Sequence, residues 1–210
     1  MNIGTALLVY VVLLFSLTVH EFAHAFMANK MGDPTARNMG RMTFNPIAHI
    51  DIVGTVIFPL IMLFTAVPLF GWAKPVPVNP YNLKNPRKDN LWIASAGPIS
   101  NFIMAGILII VYKNFASVAG FLPQAVAYPL GVMIFYGAIL NAILGVFNFL
   151  PIPPLDGSRV VSGILPEELA EKYEMFEPFG FIILYALLFL GVLGLLISPV
   201  YAIIVKLMGM

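Results

Sequence analysis

Residues 91–112 read LWIASAGPISNFIMAGILIIVY, without one charged side chain. Stretches 127–149 and 179–197 are uncharged too, and 4–29 is interrupted only by His20, Glu21 and His24. A helix rises about 1.5 Å per residue, so about 20 apolar residues cross the ~30 Å hydrocarbon core of a bilayer. The alternative, four buried helices in a soluble domain, needs a polar coat. Charged residues are only 10% of these 210, against about 25% in a soluble domain. The chain therefore reads as an all-α polytopic membrane protein of four to six membrane helices in a single membrane-embedded domain, 1–210. The expected spans are 4–29, 91–112, 127–149 and 179–197. The N-terminal run lacks a basic leader and a small-residue cleavage site, so it reads as a retained span. The net charge of +1 argues against a nucleic-acid partner, and the absence of cysteine excludes a disulfide framework or a thiolate metal site.

Between the first two clear spans the chain changes character. Segments 30–51 and 71–90 are polar and rich in glycine and proline, and they predict a small membrane-associated β or extended region. The apolar piece 52–70 holds Gly54, Pro59 and Pro68, which break a straight helix, so it is either re-entrant or spanning. Charge counts favour the re-entrant form. Lys30, Arg37 and Arg41, then Lys74, Lys84, Arg87 and Lys88, mark both flanking loops as cytoplasmic, whereas loop 113–126 carries only Lys113. The tail from Pro199 onward predicts a short helix.

Ionisable side chains at membrane depth are expensive and usually functional. His20 and His24 stand one helical turn apart on one face, where both imidazoles can reach one metal ion. Glu21 is rotated by about 100° and can miss the metal while addressing a water the metal holds. This is the H-E-x-x-H pattern: two ligands and a general base. A catalytic zinc takes three protein ligands and leaves one position open. The spacing offers Asp156, in NFLPIPPLDG (148–157), as the third ligand; a turn-forming Asp-Gly at a helix end is the equal alternative. Gly157 would permit an unusual backbone angle after it. If 52–70 does not cross, Asp156 emerges on the same side as the two histidines.

HEFAH, AGPISN (96–101) and the N-x-x-P-x-P-P-L-D-G run from Asn148 together resemble the site-2 protease family of intramembrane zinc metalloproteases. GRMTFNPIAHID (40–51) and GWAKPVPVN (71–79) are similar to its compact branch without PDZ or CBS domains. The resemblance covers roughly residues 4–160 and implies one zinc ion held by His20, His24 and Asp156, with Glu21 as general base. It implies cleavage of transmembrane-helix protein substrates in the lipid bilayer of the cell membrane; the charge counts put the active site toward the cytoplasm. For Asn148 it implies substrate-backbone binding or oxyanion stabilisation.

Asn101 and His49 are further candidates for that role. Asn141 and Gly97, on the same faces as Asn148 and Asn101, read as close helix packing. Segments 36–46 and 73–79 could pair an unwound substrate as strand edges. A metal-ion transporter using the same ligands as a transit site is the competing function; it needs polar residues at several depths, which the spans lack. An inactive scaffold needs no Glu21. Oligomeric state leaves no mark on the sequence.

Overall fold

The computed structural model describes residues 2–65 and 71–210. Helix α1 (Ile3–Met31) starts at Asn2, whose side chain accepts from the Thr5 amide at 2.8 Å, and stops at Gly32, where φ is +109°. A short α2 (Thr35–Asn38) and a 3-10 turn (Pro46–His49) follow. The apolar piece begins as a π-turned stretch, Ile52–Ile57, and continues as α3 (Phe58–Thr65). Then come α4 (Pro86–Ala119) and α5 (Gln124–Asn148), two shorter helices α6 (Asp156–Ile164) and α7 (Glu167–Glu174), and finally α8 (Gly180–Phe189) and α9 (Val192–Leu207).

Three helices, α1, α4 and α5, are each long and apolar enough to cross a bilayer, and they pack against one another. The protein is a multi-pass membrane protein. Small residues let the backbones approach, as membrane helices favour. Ala105 of α4 and Ala138 and Ala142 of α5 are buried together with Ile139, and Ile204 and Met208 at the end of α9 close that cluster. Pairings along the bundle fix its directions. His24 meets Ile93, His20 meets Asn101, and Val12 and Leu108 meet at Gly137. So α1 and α4 are antiparallel. Ser16 bonds Asn141 while Val12 lies at Gly137, so α5 runs parallel to α1. The chain between Met31 and Pro86 thus begins and ends at one end of the bundle, the end where α5 delivers Asp156.

Three expectations need correction. The predicted β or extended region contains no strand among the described residues. Its donors are spent on other partners. Lys74 N–H bonds the His49 carbonyl at 2.9 Å, Val76 N–H bonds Glu21, and Asn79 N–H bonds Asp33 at 2.7 Å. Pro75 and Pro77 have no N–H to offer. Segment 71–79 is a strap tied down at Lys74, Val76 and Asn79 rather than a paired strand, and 36–38 lies in α2. The expected span 179–197 is also broken. The chain turns at Leu190–Gly191, Gly191 has φ +75°, and the helical run ending at Phe189 meets α9 at 70°. Pro199 lies inside α9 rather than starting a tail helix. The rest of the 52–70 reading falls partly on 66–70, outside the described residues.

Candidate metal centre

Buried polar side chains of the three spans, among them Ser16, Asn101 and Asn141, gather around His20 and His24. His20 and His24 are 5% and 8% exposed, and their Nε2 atoms stand 3.0 Å apart. Asp156, the first residue of α6, places Oδ2 3.1 Å from His20 Nε2 and 3.3 Å from His24 Nε2. Three potential ligand atoms therefore form a nearly equilateral triangle. Four ligands placed tetrahedrally at about 2.0–2.1 Å from zinc stand about 3.3 Å from each other. The triangle has the size of one face of that tetrahedron.

The chemistry of the donor set points the same way. The far nitrogen of each imidazole is held by an acceptor. His24 Nδ1 donates to the Ile93 carbonyl at 2.7 Å, and His20 Nδ1 donates to Asn101 Oδ1 at 2.6 Å. A carbonyl can only accept, so a proton sits on each Nδ1, and each imidazole in its neutral form presents the Nε2 lone pair. Those lone pairs face each other and a carboxylate oxygen, Asp156 Oδ2, that is buried without a hydrogen-bond partner. Three electron-rich atoms this close repel unless a cation sits between them. The residues fit a metal ion.

Gly97 explains why the histidines can stand there. A Cβ on Gly97 would lie 2.4 Å from His24 Nε2 and 2.6 Å from His20 Nε2. The bare backbone of α4 forms the wall of the pocket. Helix packing accounts for this glycine only in the sense that the packed partners are the ligands themselves. Gly157 plays a similar part for Asp156, though not through an unusual backbone angle, since it is absent from the positive-φ glycines. A Cβ there would strike the Phe149 and Leu150 carbonyls at 2.3 and 2.4 Å, so the glycine lets α6 start flush against the end of α5.

Glu21 stands outside the triangle. Its Oε2 accepts from the Val76 amide at 3.0 Å, and the residue is 8% exposed. The strap therefore fixes the carboxylate beside the ligand pair. Asn101 is fully buried, and its two amide atoms are both engaged within the protein. Asn148 Nδ2 donates to the Leu144 carbonyl of its own helix at 3.1 Å. His49 is buried in its 3-10 turn and donates from Nε2 to the Thr43 carbonyl at 2.9 Å. Neither Asn148 nor His49 hydrogen-bonds a ligand residue. Sequence reasoning missed the Ile93 carbonyl and the Val76 amide, which are main-chain groups and leave no residue signature. It also missed Ser16, hidden in an apolar run.

Fold and site together define a membrane-embedded metalloprotease. The chain belongs to peptidase family M50, which matches it over residues 8–131 and 116–191. This is the site-2 protease family that HEFAH, AGPISN and the LDG motif resemble. The chain is 38% identical over 188 residues to "Putative zinc metalloprotease YwhC" of Bacillus subtilis, covering 88% of this chain and 80% of that protein. It is 27% identical over 186 residues to "Putative zinc metalloprotease Rip2" of Mycolicibacterium smegmatis, covering 89% and 68%. A third similarity is to "Zinc metalloprotease MJ0392" of Methanocaldococcus jannaschii, 24% identical over 160 residues, covering 76% of this chain and 34% of that one. No solved structure matches the chain.

Proposed function

We propose that the chain is an intramembrane zinc endopeptidase that cuts transmembrane segments of membrane-protein substrates. The observation that carries this reading is the triangle of His20 Nε2, His24 Nε2 and Asp156 Oδ2, buried at helix depth with the Glu21 carboxylate fixed beside it. Those three residues would hold one zinc ion. Zinc bound there supplies Lewis-acid polarisation of the scissile carbonyl and acidifies water. The chain's own work is positioning and proton transfer. Ile93 and Asn101 aim the imidazoles. Gly97 leaves room for them. Glu21 takes the proton of the attacking water on its carboxylate and returns it to the leaving amide nitrogen, so the peptide bond breaks with no net proton change on the enzyme.

The lipid setting supports the choice of substrate. A helix that enters from the bilayer reaches this pocket without crossing water, and its amides must be unwound before attack. Lysine and arginine bias supports a cytoplasmic orientation for the end of the bundle that carries the site. The antiparallel course of α1 and α4 supports a re-entrant rather than a crossing path for 52–70. A transit path for metal would want ligands at further depths. Among the described residues, His20, His24 and Asp156 are the one group of three within reach of a single ion.

The test pairs metal content with cleavage. Wild type, Glu21→Gln and Asp156→Ala are purified in detergent and incubated with a model transmembrane peptide. The expected result is about one zinc and cleavage in wild type, zinc without cleavage in Glu21→Gln, and loss of zinc in Asp156→Ala. Cleavage by Glu21→Gln at the wild-type rate refutes the general-base role. A wild type without metal refutes the protease reading.

A further inference from the structure

We infer that Asn101, Asn141 and Ser16 form a positioning relay that fixes His20 for metal binding, one residue from each of the three spans. It rests on the metal reading of the site. The relay is directional, and its direction follows from groups that can act only one way.

It starts at main-chain carbonyls. Ser16 Oγ donates to the Val12 carbonyl at 2.8 Å, which leaves its lone pairs to accept. Asn141 Nδ2 donates to Ser16 Oγ at 2.8 Å and to the Gly137 carbonyl at 2.9 Å. Both are acceptors in this setting, so the Asn141 amide nitrogen must face them, and its Oδ1 must face Asn101. Asn101 Nδ2 then donates to Asn141 Oδ1 at 2.9 Å and to the Ser16 carbonyl at 3.4 Å. That turns Asn101 Oδ1 toward His20, where it accepts from Nδ1 at 2.6 Å. The proton is held on Nδ1, and Nε2 is left bare toward His24 and Asp156.

Every member is buried: Ser16 and Asn101 are 0% exposed and Asn141 is 1% exposed. In hydrocarbon a polar side chain without a partner is costly, so neither amide can flip without leaving two groups facing like atoms. The relay is thus locked by its own satisfaction. The companion ligand needs no relay, because His24 is fixed directly by the Ile93 carbonyl. Such partners of ligating histidines set ring orientation and tautomer, and their loss typically costs about 10–100-fold in metal affinity.

On this inference Asn101 acts through His20 and does not touch substrate. Zinc affinity of the full chain in detergent, measured by competition with a chromogenic chelator, separates the two roles. Asn101→Leu removes the acceptor and is expected to weaken zinc binding about 10–100-fold. Asn101→Gln keeps both a carbonyl acceptor for His20 Nδ1 and an amide donor for Asn141 Oδ1, one methylene further out, and is expected to recover part of that loss. Asn141→Leu, one step removed, is expected to fall between them. Unchanged zinc affinity in Asn101→Leu, with a raised KM for a peptide substrate, overturns the inference and makes Asn101 a substrate contact. Wild-type protein gives a reading that needs no variant. In zinc-loaded, 15N-histidine-labelled protein the His20 Nδ1 proton is expected to exchange slowly with water. Exchange as fast as that of an exposed imidazole overturns the inference. A wild type that binds no zinc overturns the metal reading beneath it as well, whereas zinc in wild type with indifferent Asn101 and Asn141 variants overturns the relay alone.

Discussion

Replacing Gly97 by alanine tests the centre with one methyl group. The added Cβ would lie 2.4 Å from His24 Nε2 and 2.6 Å from His20 Nε2, where ordinary contact begins at 3.4 Å. The imidazoles must retreat by about 1 Å, or α4 must move away from α1. Neither is easy. Both rings are pinned at Nδ1, by Ile93 and Asn101, and α4 is locked between α1 and α5. Zinc sites tolerate ligand displacements of only about 0.2 Å. A displacement several times larger should cost at least about 100-fold in zinc affinity, equivalent to ~2.8 kcal/mol. Helix propensity pushes the other way, because alanine is better than glycine in a helix interior by about 1 kcal/mol. Sequence-level reasoning without the site would therefore make Gly97→Ala mildly stabilising. Gly106, in the same helix with nothing within 4 Å of its Cβ position, supplies the control. Zinc stoichiometry and chelator competition on Gly97→Ala, Gly106→Ala and wild type decide the matter. The expected result is loss of zinc in Gly97→Ala alone. Wild-type zinc affinity in Gly97→Ala, with raised thermal stability, would refute the close approach of α4 to the ligands.

The same logic extends to Gly157→Ala, whose Cβ would meet the Phe149 and Leu150 carbonyls at 2.3 and 2.4 Å. Backbone cannot yield as a side chain does, so α6 and Asp156 should shift, with impaired zinc binding and a stability loss of about 1–3 kcal/mol by thermal unfolding in detergent. Asp156→Asn keeps the shape of the third ligand but removes its charge, and chelator titration is expected to show weaker zinc binding, with Glu21→Gln unchanged in the same assay. Asp33, outside the spans and fully buried, is driven up by burial, but hydrogen bonds from Asn82, Thr35 and Asn79 outweigh this and hold its pKa below the ordinary 3.8. Its contribution to stability is therefore present above about pH 4 and lost as pH falls through the lower folded value. Asp33→Ala should destabilise by about 1–3 kcal/mol at pH 7, and the gap to wild type should shrink below pH 4; a gap independent of pH would refute the ionic role.

What the sequence made legible follows from length scale. Spans α1, α4 and α5 are long apolar runs, and their signal is spread over twenty residues. The pair His20 and His24 is a one-turn pattern within α1, and Glu21 is its neighbour. Asp156 is harder, since the joint position of α5 and α6 depends on how a proline-rich turn folds; its presence beside the histidines required the structure. The broken span at Leu190–Gly191 was concealed because a glycine in an apolar run is compatible with a straight helix, and only its positive φ reveals the bend. The strap 71–79 shows a different limit. Alternating prolines correctly exclude helix, but extended chain becomes strand only when it pairs. Here the N–H groups of Lys74, Val76 and Asn79 find His49, Glu21 and Asp33 instead.

The three candidate ligands reach the centre from two different surroundings. His20 and His24 belong to the three-span bundle, where α1, α4 and α5 share buried polar contacts and no side chain can turn without exposing an unsatisfied atom to hydrocarbon. Asp156 belongs to α6, a short helix with a polar face at the end of the bundle. That helix packs on α4 and against the end of α5, and it is also tied from outside: Arg87 donates twice to the Ser162 carbonyl, at 2.9 and 2.8 Å, Ser162 bonds Glu174 of α7, and Tyr173 reaches the Pro151 carbonyl at 2.7 Å. Arg87 is only half-buried, Glu174 is exposed and Tyr173 is half-buried. Hydrogen bonds in water are exchangeable at small net cost, about 0.5–1.5 kcal/mol each, whereas those in the bundle are not. On the proposed reading the histidine pair would therefore set where a metal sits, and Asp156 would complete the centre.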